Sequence, residues 1–377
     1  MPGKAHSPAG SFPDPCSIGC CTSSSGLRSP GPTRAFPTQI ITEHEGNSMK
    51  AVRFHATGDA SVLTYEDAPE PTPQDHEVLV RVEATGVNFA DIMRRRGDDY
   101  PEASPLPFTL GAEIAGTITA VGKAVTSLHV GMPVLAVVGA GGYAQYLCVP
   151  EAIVVPLPEG VAPVQAAAMM ANGLTAALVL RNAARLAPGE TVLIEAAAGG
   201  LGSFAVQLAK VYGAGKVIAA ASTPEKRAIA ERLGADATVD YTAPGWAEQV
   251  RALTDGKGVD IVVETAGGDN VAEAFRALAP FGRMIFVGQS SGKTSLIDPW
   301  DLIVPNHTLT SFYVGAYAAF PDVIQSTLTE IFGLIVSGRI ALQVNTVLPL
   351  SQAAEAHRLL EGRQTAGKVV LQPWVDV

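Results

Sequence analysis

Charge is scarce in this chain of 377 residues, because Asp, Glu, Lys and Arg together make up only 16% of it. Acidic residues outnumber basic ones by 36 to 26, and no Lys- or Arg-rich run is present. The formal net charge of −10 opposes association with the phosphate backbone of DNA or RNA. We therefore expect no nucleic-acid partner.

Long hydrophobic runs are also missing, although 47% of the residues are apolar. No uninterrupted apolar run reaches the length of about 20 residues that a membrane-spanning helix requires. The abundance of Ala, Val and Leu instead predicts buried sheet, and the chain is long enough to fill two hydrophobic cores. We expect no membrane partner.

Cysteine is rare, and the four cysteines are Cys16, Cys20, Cys21 and Cys148. Three of them fall within the first 21 residues, so no paired framework remains for a secreted domain. A reducing, cytoplasmic location is expected. The N-terminal three could form half of a metal site, but the second half is missing, so we interpret them as incidental thiols.

Residues 1–48 contain seven Pro, six Gly and eight Ser and show little apolar periodicity. Such a segment cannot bury enough surface to offset its ordering entropy. It also lacks the apolar core of a signal peptide, and its prolines interrupt the helix of a transit peptide. We predict a disordered extension or an artefact of an upstream start codon, and expect a chain that begins at Met49 to fold and turn over.

The remaining sequence shows two successive patterns. From Met49 to about Met170, short strands such as 77–84 are separated by Pro and Gly turns, which is typical of a compact, mostly antiparallel β domain. After Gly173, apolar strands alternate with amphipathic helices, which indicates parallel β-α units and a sheet covered on both faces. The last 60 or so residues do not continue this alternation, and we expect them to return to the first domain.

The strongest motif is residues 191–202, TVLIEAAAGGLG, which read as a buried strand, a Gly-rich turn and a helix that opens at Leu201. Gly199 allows close approach to a pyrophosphate, and Gly202 allows the helix to pack close to the sheet. Ala197 stands where the first glycine usually stands. Because further β-α pairs follow, the loop predicts a dinucleotide site.

The second strand of this series ends at Ser222, where an NAD-binding chain usually carries an Asp or Glu. A carboxylate would repel a 2′-phosphate, whereas Ser222 and Lys226 can hold one through charge-assisted hydrogen bonds. The sequence therefore predicts NADPH as the cofactor. The alternative is that Lys226 is an ordinary solvated helix residue.

Five ordered motifs support a family resemblance: GVNFAD at 86–91, GAEIAG at 111–116, NGLT at 172–175, AAAGGLG at 196–202, and Arg363 before a final GKVVL strand. From Met49 to about Pro373 the chain resembles the quinone oxidoreductase (zeta-crystallin-like) branch of the medium-chain dehydrogenase/reductase superfamily. The resemblance implies an α/β fold with a GroES-like, mostly antiparallel β catalytic domain (49–172 and 313–377). It also implies a Rossmann domain with a doubly wound parallel sheet (173–312), with the cofactor between the two.

The zinc ligands of this superfamily's alcohol dehydrogenases fall here on Asn88, Ala112 and Ala171. Neither Ala nor a lone Asn can hold zinc with sulfur or nitrogen donors, so no metal is expected. Without a metal the chemistry must be positioned hydride transfer in a dry cleft. By resemblance, Asn88 lines the nicotinamide and substrate pocket and Tyr100 lies across it. These two are the candidate catalytic residues.

The resemblance implies three groups of cofactor contacts, to which Asn88 is added. The pyrophosphate and nicotinamide group is Thr175, Gly199, Gly200, Leu201 and Gly202. The 2′-phosphate group is Ser222, Lys226, Tyr241 and Arg363. The groove is lined by Thr265, Ala266, Val287, Gly288, Gln289 and Phe312.

The expected activity is NADPH-dependent reduction of a quinone or a similar small electrophile. One alternative is reduction of an enoyl thioester or 2-alkenal, with Tyr100 as the acid; another is non-catalytic NADPH binding. Residues around Tyr143, Tyr313 and Tyr317 are expected to set substrate choice, and Asp91 to support the first helical turn. The family implies a homodimer joined at the sixth Rossmann strand, near 308–313.

Overall fold

The computed structural model describes residues 47–375. The predicted extension lies outside the described residues except for its last two positions, and Cys16, Cys20 and Cys21 lie outside them as well. Ser48 already belongs to the first strand, one residue before the predicted start at Met49.

The described chain contains strands that form three sheets. They are β1 (Ser48–Phe54), β2 (Leu63–Pro69), β3 (Glu77–Val87), β4 (Phe108–Thr109), β5 (Glu113–Val121), β6 (Pro133–Val137), β7 (Tyr146–Pro150), β8 (Val154–Pro156), β9 (Thr191–Ile194), β10 (Lys216–Ala220), β11 (Ala237–Val239), β12 (Val259–Glu264), β13 (Leu278–Phe286), β14 (Thr308–Ser311), β15 (Val344–Pro349) and β16 (Lys368–Gln372).

The α-helices in the same part of the chain connect or cover these strands. They are α1 (Phe89–Arg96), α2 (Pro163–Leu178), α3 (Gly200–Val211), α4 (Pro224–Arg232), α5 (Trp246–Ala252), α6 (Asn270–Ala277), α7 (Pro321–Val336) and α8 (Ala353–Glu361).

A mostly antiparallel sheet has the order β15-β16-β3-β5-β6-β8, with β7 also paired to β3, and a smaller sheet has the order β2-β1-β4. Val78, Val80 and Val82 recur at every second position of β3 and are fully buried in one apolar cluster, as the alternation of a strand requires. The last strand, β16, pairs antiparallel with β3. The end of the chain therefore returns to the sheet that its first part builds.

The second large sheet is entirely parallel, with the order β11-β10-β9-β12-β13-β14. Alternate residues of its central strand enter different cores: Val192 and Ile194 join one apolar cluster and Leu193 the other. Both faces are therefore covered, which explains why these strands are apolar throughout. This architecture confirms the predicted fold class.

One stretch, Pro163–Ala183, is long and apolar enough to cross a membrane by composition alone. However, 67% of that window is buried inside the protein. Met169, Leu174 and Leu178 of this stretch are buried in the same cluster as Val192 and Ile194. This burial is typical of a core helix.

Candidate functional site

A cleft of about 380 Å³ lies between the antiparallel and parallel sheets. One wall includes Asn88, Tyr100 and Lys368, and the other includes residues 199–202 and 287–289. The cleft reaches the carboxyl ends of β9 and β12, which are neighbours in the sheet although β10 and β11 separate them along the chain. This switch point is where open α/β sheets bind their ligands.

The glycine-rich loop joins β9 to α3 through a tight turn. Ala196 adopts a left-handed φ of 46°, and its carbonyl accepts a hydrogen bond from the Gly199 amide at 2.8 Å. A Cβ atom on Gly202 would lie 2.3 Å from the Ala196 oxygen and 2.6 Å from the Ala197 Cα, so only glycine fits there. The amides of the first turn of α3 have no partner within the helix and are available to an anion.

Two buried carboxyl groups support the floor of this loop. Glu195 follows β9 and Glu264 ends β12; both are fully buried and close enough for the charge of one to act on the other. Burial and the charge of Glu264 raise the pKa of Glu195 well above its usual range. Glu195 accepts from Asn270 Nδ2 at 2.6 Å and from the Thr265 amide at 3.2 Å. The pair therefore fixes the start of the segment after β12, and Thr265 lies in the cleft wall.

Asn88 stands at the start of α1 in the opposite wall. Its backbone amide donates to Asp91 Oδ2 at 2.8 Å, so Asp91 supports the first helical turn, as predicted. The side chain of Asn88 donates from Nδ2 to Glu113 Oε1 at 2.9 Å, and its Oδ1 accepts from Lys368 Nζ at 2.5 Å. Glu113 also accepts from the Ala171 amide at 2.7 Å.

The mouth of the cleft is formed by aromatic side chains from two distant segments. Tyr100 meets Tyr313 edge to face, with ring centroids 6.3 Å apart. The Tyr313 hydroxyl donates to Glu102 Oε1 at 2.5 Å, and Arg94 lies against the Tyr100 ring. Burial, together with the charge of Glu102, raises the pKa of Tyr100 to about 12. Tyr100 therefore keeps its proton at neutral pH and can donate a hydrogen bond.

The residues predicted around a 2′-phosphate lie outside the wall of this cleft, next to the glycine-rich loop. Lys226 Nζ donates to the carbonyl of Arg363 at 2.6 Å, and the Arg363 charge acts on both Lys226 and Tyr241. The Gly367 amide donates to the Ala198 carbonyl at 2.7 Å. The turn that carries Arg363 is thereby held against the loop.

The structure brings most of the other predicted cofactor residues into the cleft wall. The members of the wall are Asn88, Thr175, Gly199, Gly200, Leu201, Gly202, Thr265, Val287, Gly288, Gln289 and Phe312. Ala266 lies outside the cleft wall: it is buried, and its amide donates to Glu264 Oε1 at 3.0 Å. Ser222 is half-buried at the end of β10.

The expectation that Tyr143 lines the substrate pocket is wrong. Its side chain is fully buried, and its hydroxyl lies 3.2 Å from His357 Nε2 and 3.4 Å from Asp91 Oδ2. Tyr317 is also outside the cleft wall and packs against the Phe312 ring with centroids 5.7 Å apart. Of the three tyrosines, Tyr313 alone lies in the wall.

Four ionisable residues of the cleft region were not predicted from the sequence: Glu102, Glu113, Glu195 and Lys368. Glu113 is part of the GAEIAG motif and Lys368 opens the final GKVVL strand. An acidic or basic residue inside an otherwise apolar strand was the available signal, because such residues are rarely fully buried unless paired.

Known proteins resemble this chain along almost all of the described residues. The family model described as "Alcohol dehydrogenase GroES-like domain" matches residues 74–159, and the one described as "Zinc-binding dehydrogenase" matches residues 200–329. Despite the second description, Ala112 and Ala171 offer no metal-binding side chain at two of the expected positions. Among residues 47–375, no group of three His, Cys, Asp or Glu side chains could hold a metal ion.

The chain is 39% identical over 331 residues to a quinone oxidoreductase of Pseudomonas aeruginosa, covering 86% of this chain and 99% of that one. It is 32% identical to a 2-haloacrylate reductase of a Burkholderia species, with coverage of 86% and 99%. The crystal structure of Escherichia coli quinone oxidoreductase complexed with NADPH matches at a TM-score of 0.81 and 31% identity, with coverage of 86% and 100%. The chain therefore belongs to the quinone oxidoreductase branch of the medium-chain dehydrogenase/reductase superfamily, and it is an oxidoreductase.

Proposed function

We propose that this protein transfers a hydride from NADPH to a quinone without a metal. The observation that carries the proposal is the cleft itself, in which the glycine-rich loop faces Asn88 and Tyr100 across about 380 Å³. The NADPH complex of the Escherichia coli relative supports the choice of cofactor, and the name of the Pseudomonas aeruginosa relative supports the substrate class.

The residues of the chain fit a dinucleotide. Gly202 allows α3 to approach the loop, where any side chain would collide with the Ala196 carbonyl at 2.3 Å. The amides at the start of α3 would hold the pyrophosphate, and residues 287–289 would lie along the nicotinamide half. Lys226 and Arg363 would hold the 2′-phosphate. Both side chains are cationic, and the hydrogen bond from Lys226 Nζ to the Arg363 carbonyl keeps the two residues together.

When bound, NADPH supplies a hydride to the electrophile. Asn88 would donate a hydrogen bond from Nδ2 to the oxygen that gains negative charge. Tyr100 would stack on the substrate or donate from its hydroxyl, since its pKa of about 12 keeps the phenol protonated. The apolar wall formed by Val87, Met93 and Phe312 would exclude water. A quinone suits this site because its oxygens become stable phenolates that take a proton from water.

A second candidate is the reduction of an activated alkene. The 2-haloacrylate reductase relative favours it, because its name describes a polarised carbon–carbon double bond. Such a substrate requires a proton at the α-carbon, and the Tyr100 hydroxyl is the donor that we would assign. The raised pKa makes Tyr100 a weak acid, which favours the quinone.

A panel of electrophiles tests the proposal. NADPH oxidation is followed at 340 nm with 1,4-benzoquinone, 9,10-phenanthrenequinone, trans-2-hexenal and crotonyl coenzyme A, before and after dialysis against a chelator. We expect the quinones to have the highest kcat/KM and the activity to survive dialysis. If kcat/KM is higher for the alkenal or the thioester than for the quinones, the proposed function becomes the reduction of an activated alkene. Turnover that is lost on dialysis and restored by zinc would refute the metal-free mechanism.

We also propose a homodimer joined at β14, the last strand of the parallel sheet. An unpaired strand edge is a template for a second copy. The segment that leads into β14 carries exposed apolar side chains: Leu296 is 96% exposed, Trp300 73% and Val304 88%. Sedimentation should give a dimer for the wild type and a monomer for Val304→Lys/Leu309→Lys. A monomeric wild type would contradict this proposal.

A further inference from the structure

A buried ion pair lies directly behind Asn88. Lys368 Nζ is 2.5 Å from Glu113 Oε1, and the two side chains are 3% and 0% exposed. Removing two charges from water is unfavourable unless they are paired and hydrogen-bonded. Here both conditions are met, because Glu113 also accepts from the Ala171 amide and Asn88 contacts both charges.

The backbone leaves room for this pair. A Cβ atom on Gly86 would lie 2.3 Å from Glu113 Oε1 and 2.7 Å from Lys368 Cε. The antiparallel pairing of Val369 with Val87 places Lys368 beside Asn88, although 280 residues separate them. The same Cβ atom would lie 2.6 Å from the Ala167 carbonyl oxygen, so both the ion pair and the backbone of α2 require glycine at the start of the GVNFAD motif.

The pair fixes the orientation of the Asn88 amide. An ammonium group can only donate and a carboxylate can only accept, so Oδ1 must face Lys368 and Nδ2 must face Glu113. The reversed amide would place its NH2 group against Lys368 and its oxygen against Glu113. One N–H of Nδ2 remains after the bond to Glu113, and Asn88 lies in the cleft wall.

We infer that Lys368 and Glu113 are positioning residues that orient and polarise the Asn88 amide toward the substrate. The inference rests on the proposed function. In the reaction the quinone accepts a hydride, that is two electrons and one proton, and becomes a hydroquinone anion, while NADPH becomes NADP⁺. The remaining Asn88 N–H donates to the oxygen that carries the new negative charge. Water then supplies the second proton.

The test separates positioning from folding. A single change such as Lys368→Met leaves the Glu113 carboxylate buried and unpaired, so it can unfold the protein. The neutral double variant Glu113→Gln/Lys368→Met avoids that charge. We expect its melting temperature to return close to that of the wild type, while kcat with 9,10-phenanthrenequinone stays about 10- to 100-fold lower, the order expected for a misplaced hydrogen-bond donor. If kcat recovers together with the melting temperature, the pair is only structural and the inference is overturned.

A double-mutant cycle shows whether the pair acts through Asn88. In an Asn88→Ala background the neutral double variant should change kcat by less than about threefold, because the group that it positions is gone. Full additivity would overturn the inference. Arg283→Met is the matched control: it removes the cation of a half-buried ion pair with Glu190, away from the cleft, and should lower the melting temperature but not kcat.

A readout without turnover distinguishes this inference from the proposed function. The fluorescence of bound NADPH reports the surroundings of the nicotinamide ring. We expect Asn88→Ala and Glu113→Gln/Lys368→Met to shift the emission maximum equally, and Arg283→Met to leave it unchanged. Unequal shifts would overturn the inference. A wild type that binds NADPH but reduces no electrophile would contradict the proposed function, while the emission spectra would still test the positioning.

Discussion

Replacement of Lys226 by Met tests the selectivity for NADPH over NADH. The Lys226 ammonium uses one of its three N–H donors on the Arg363 carbonyl, at 2.6 Å, which leaves two for a phosphate. Burial and the Arg363 charge lower the pKa of Lys226. A phosphate dianion between Lys226 and Arg363 would relieve their mutual repulsion, so this end of the site is suited to an anion.

The magnitude follows from the hydrogen bond that would be lost. A charge-assisted hydrogen bond contributes about 1.5–3 kcal/mol, and about 1.4 kcal/mol corresponds to tenfold in affinity. Because Lys226 is half-exposed, solvent screening reduces the effect to the lower end of this range. We therefore expect Lys226→Met to weaken NADPH binding about 10- to 30-fold. NADH carries a hydroxyl at that position, and its affinity should change less than about twofold.

The assay is a fluorescence titration with each cofactor, together with kcat/KM for both. Lys210→Met is a matched control, because Lys210 is a half-exposed lysine in an ion pair with Asp236 at 2.9 Å and lies on α3. It should leave the ratio of the two affinities unchanged. If the wild type binds NADH as tightly as NADPH, or if Lys226→Met weakens both cofactors equally, the assignment of the 2′-phosphate site is refuted.

Three further predictions concern the loop, its buried acids and the cleft mouth. Gly202→Ala should weaken NADPH binding at least about tenfold. The control Gly333→Ala, in open space on α7, should slightly stabilise the protein and leave NADPH affinity unchanged. Equal NADPH affinities of the two variants would argue against the loop as the pyrophosphate site. Because the pKa of Glu195 is raised in the folded protein, the folded protein keeps this proton at pH values above about 4.5, where the unfolded chain has lost it. The free energy of unfolding therefore falls as the pH rises. The melting temperature of Glu195→Gln, measured relative to that of the wild type, should therefore rise as the pH increases from 5 to 8. A difference in melting temperature that does not change with pH would contradict a protonated Glu195. Glu102→Leu and Tyr313→Phe should each raise the KM for the quinone, Glu102→Leu by more because it also loses the ion pair with Arg94, and the double variant should resemble Glu102→Leu alone, since both changes break one hydrogen bond; additive effects would disprove that contact.

The parallel half of the fold could be predicted closely because the turns that bound its strands and helices are marked by local residue types. Strand β9 begins at Thr191, as predicted, and helix α3 begins at Gly200, one residue before the predicted Leu201, since the turn between them is determined by glycines. Strand β13 is less regular than its neighbours. Its pairing with β12 contains a register shift between Val259 and Ile261, and hydrophobic periodicity does not reveal such an irregularity.

The glycine-rich loop, the lack of an acidic residue at Ser222 and the alanines at two zinc positions could all be recognised before the fold was known, because each depends on residue type at a fixed local spacing. The burial of Tyr143 and the contact of Lys368 with Glu113 behind Asn88 could not be recognised in this way. These contacts join strands that are distant in the chain, and the register of β16 on β3 sets them. Local patterns carry no information about that register, because it results from the packing of the whole sheet.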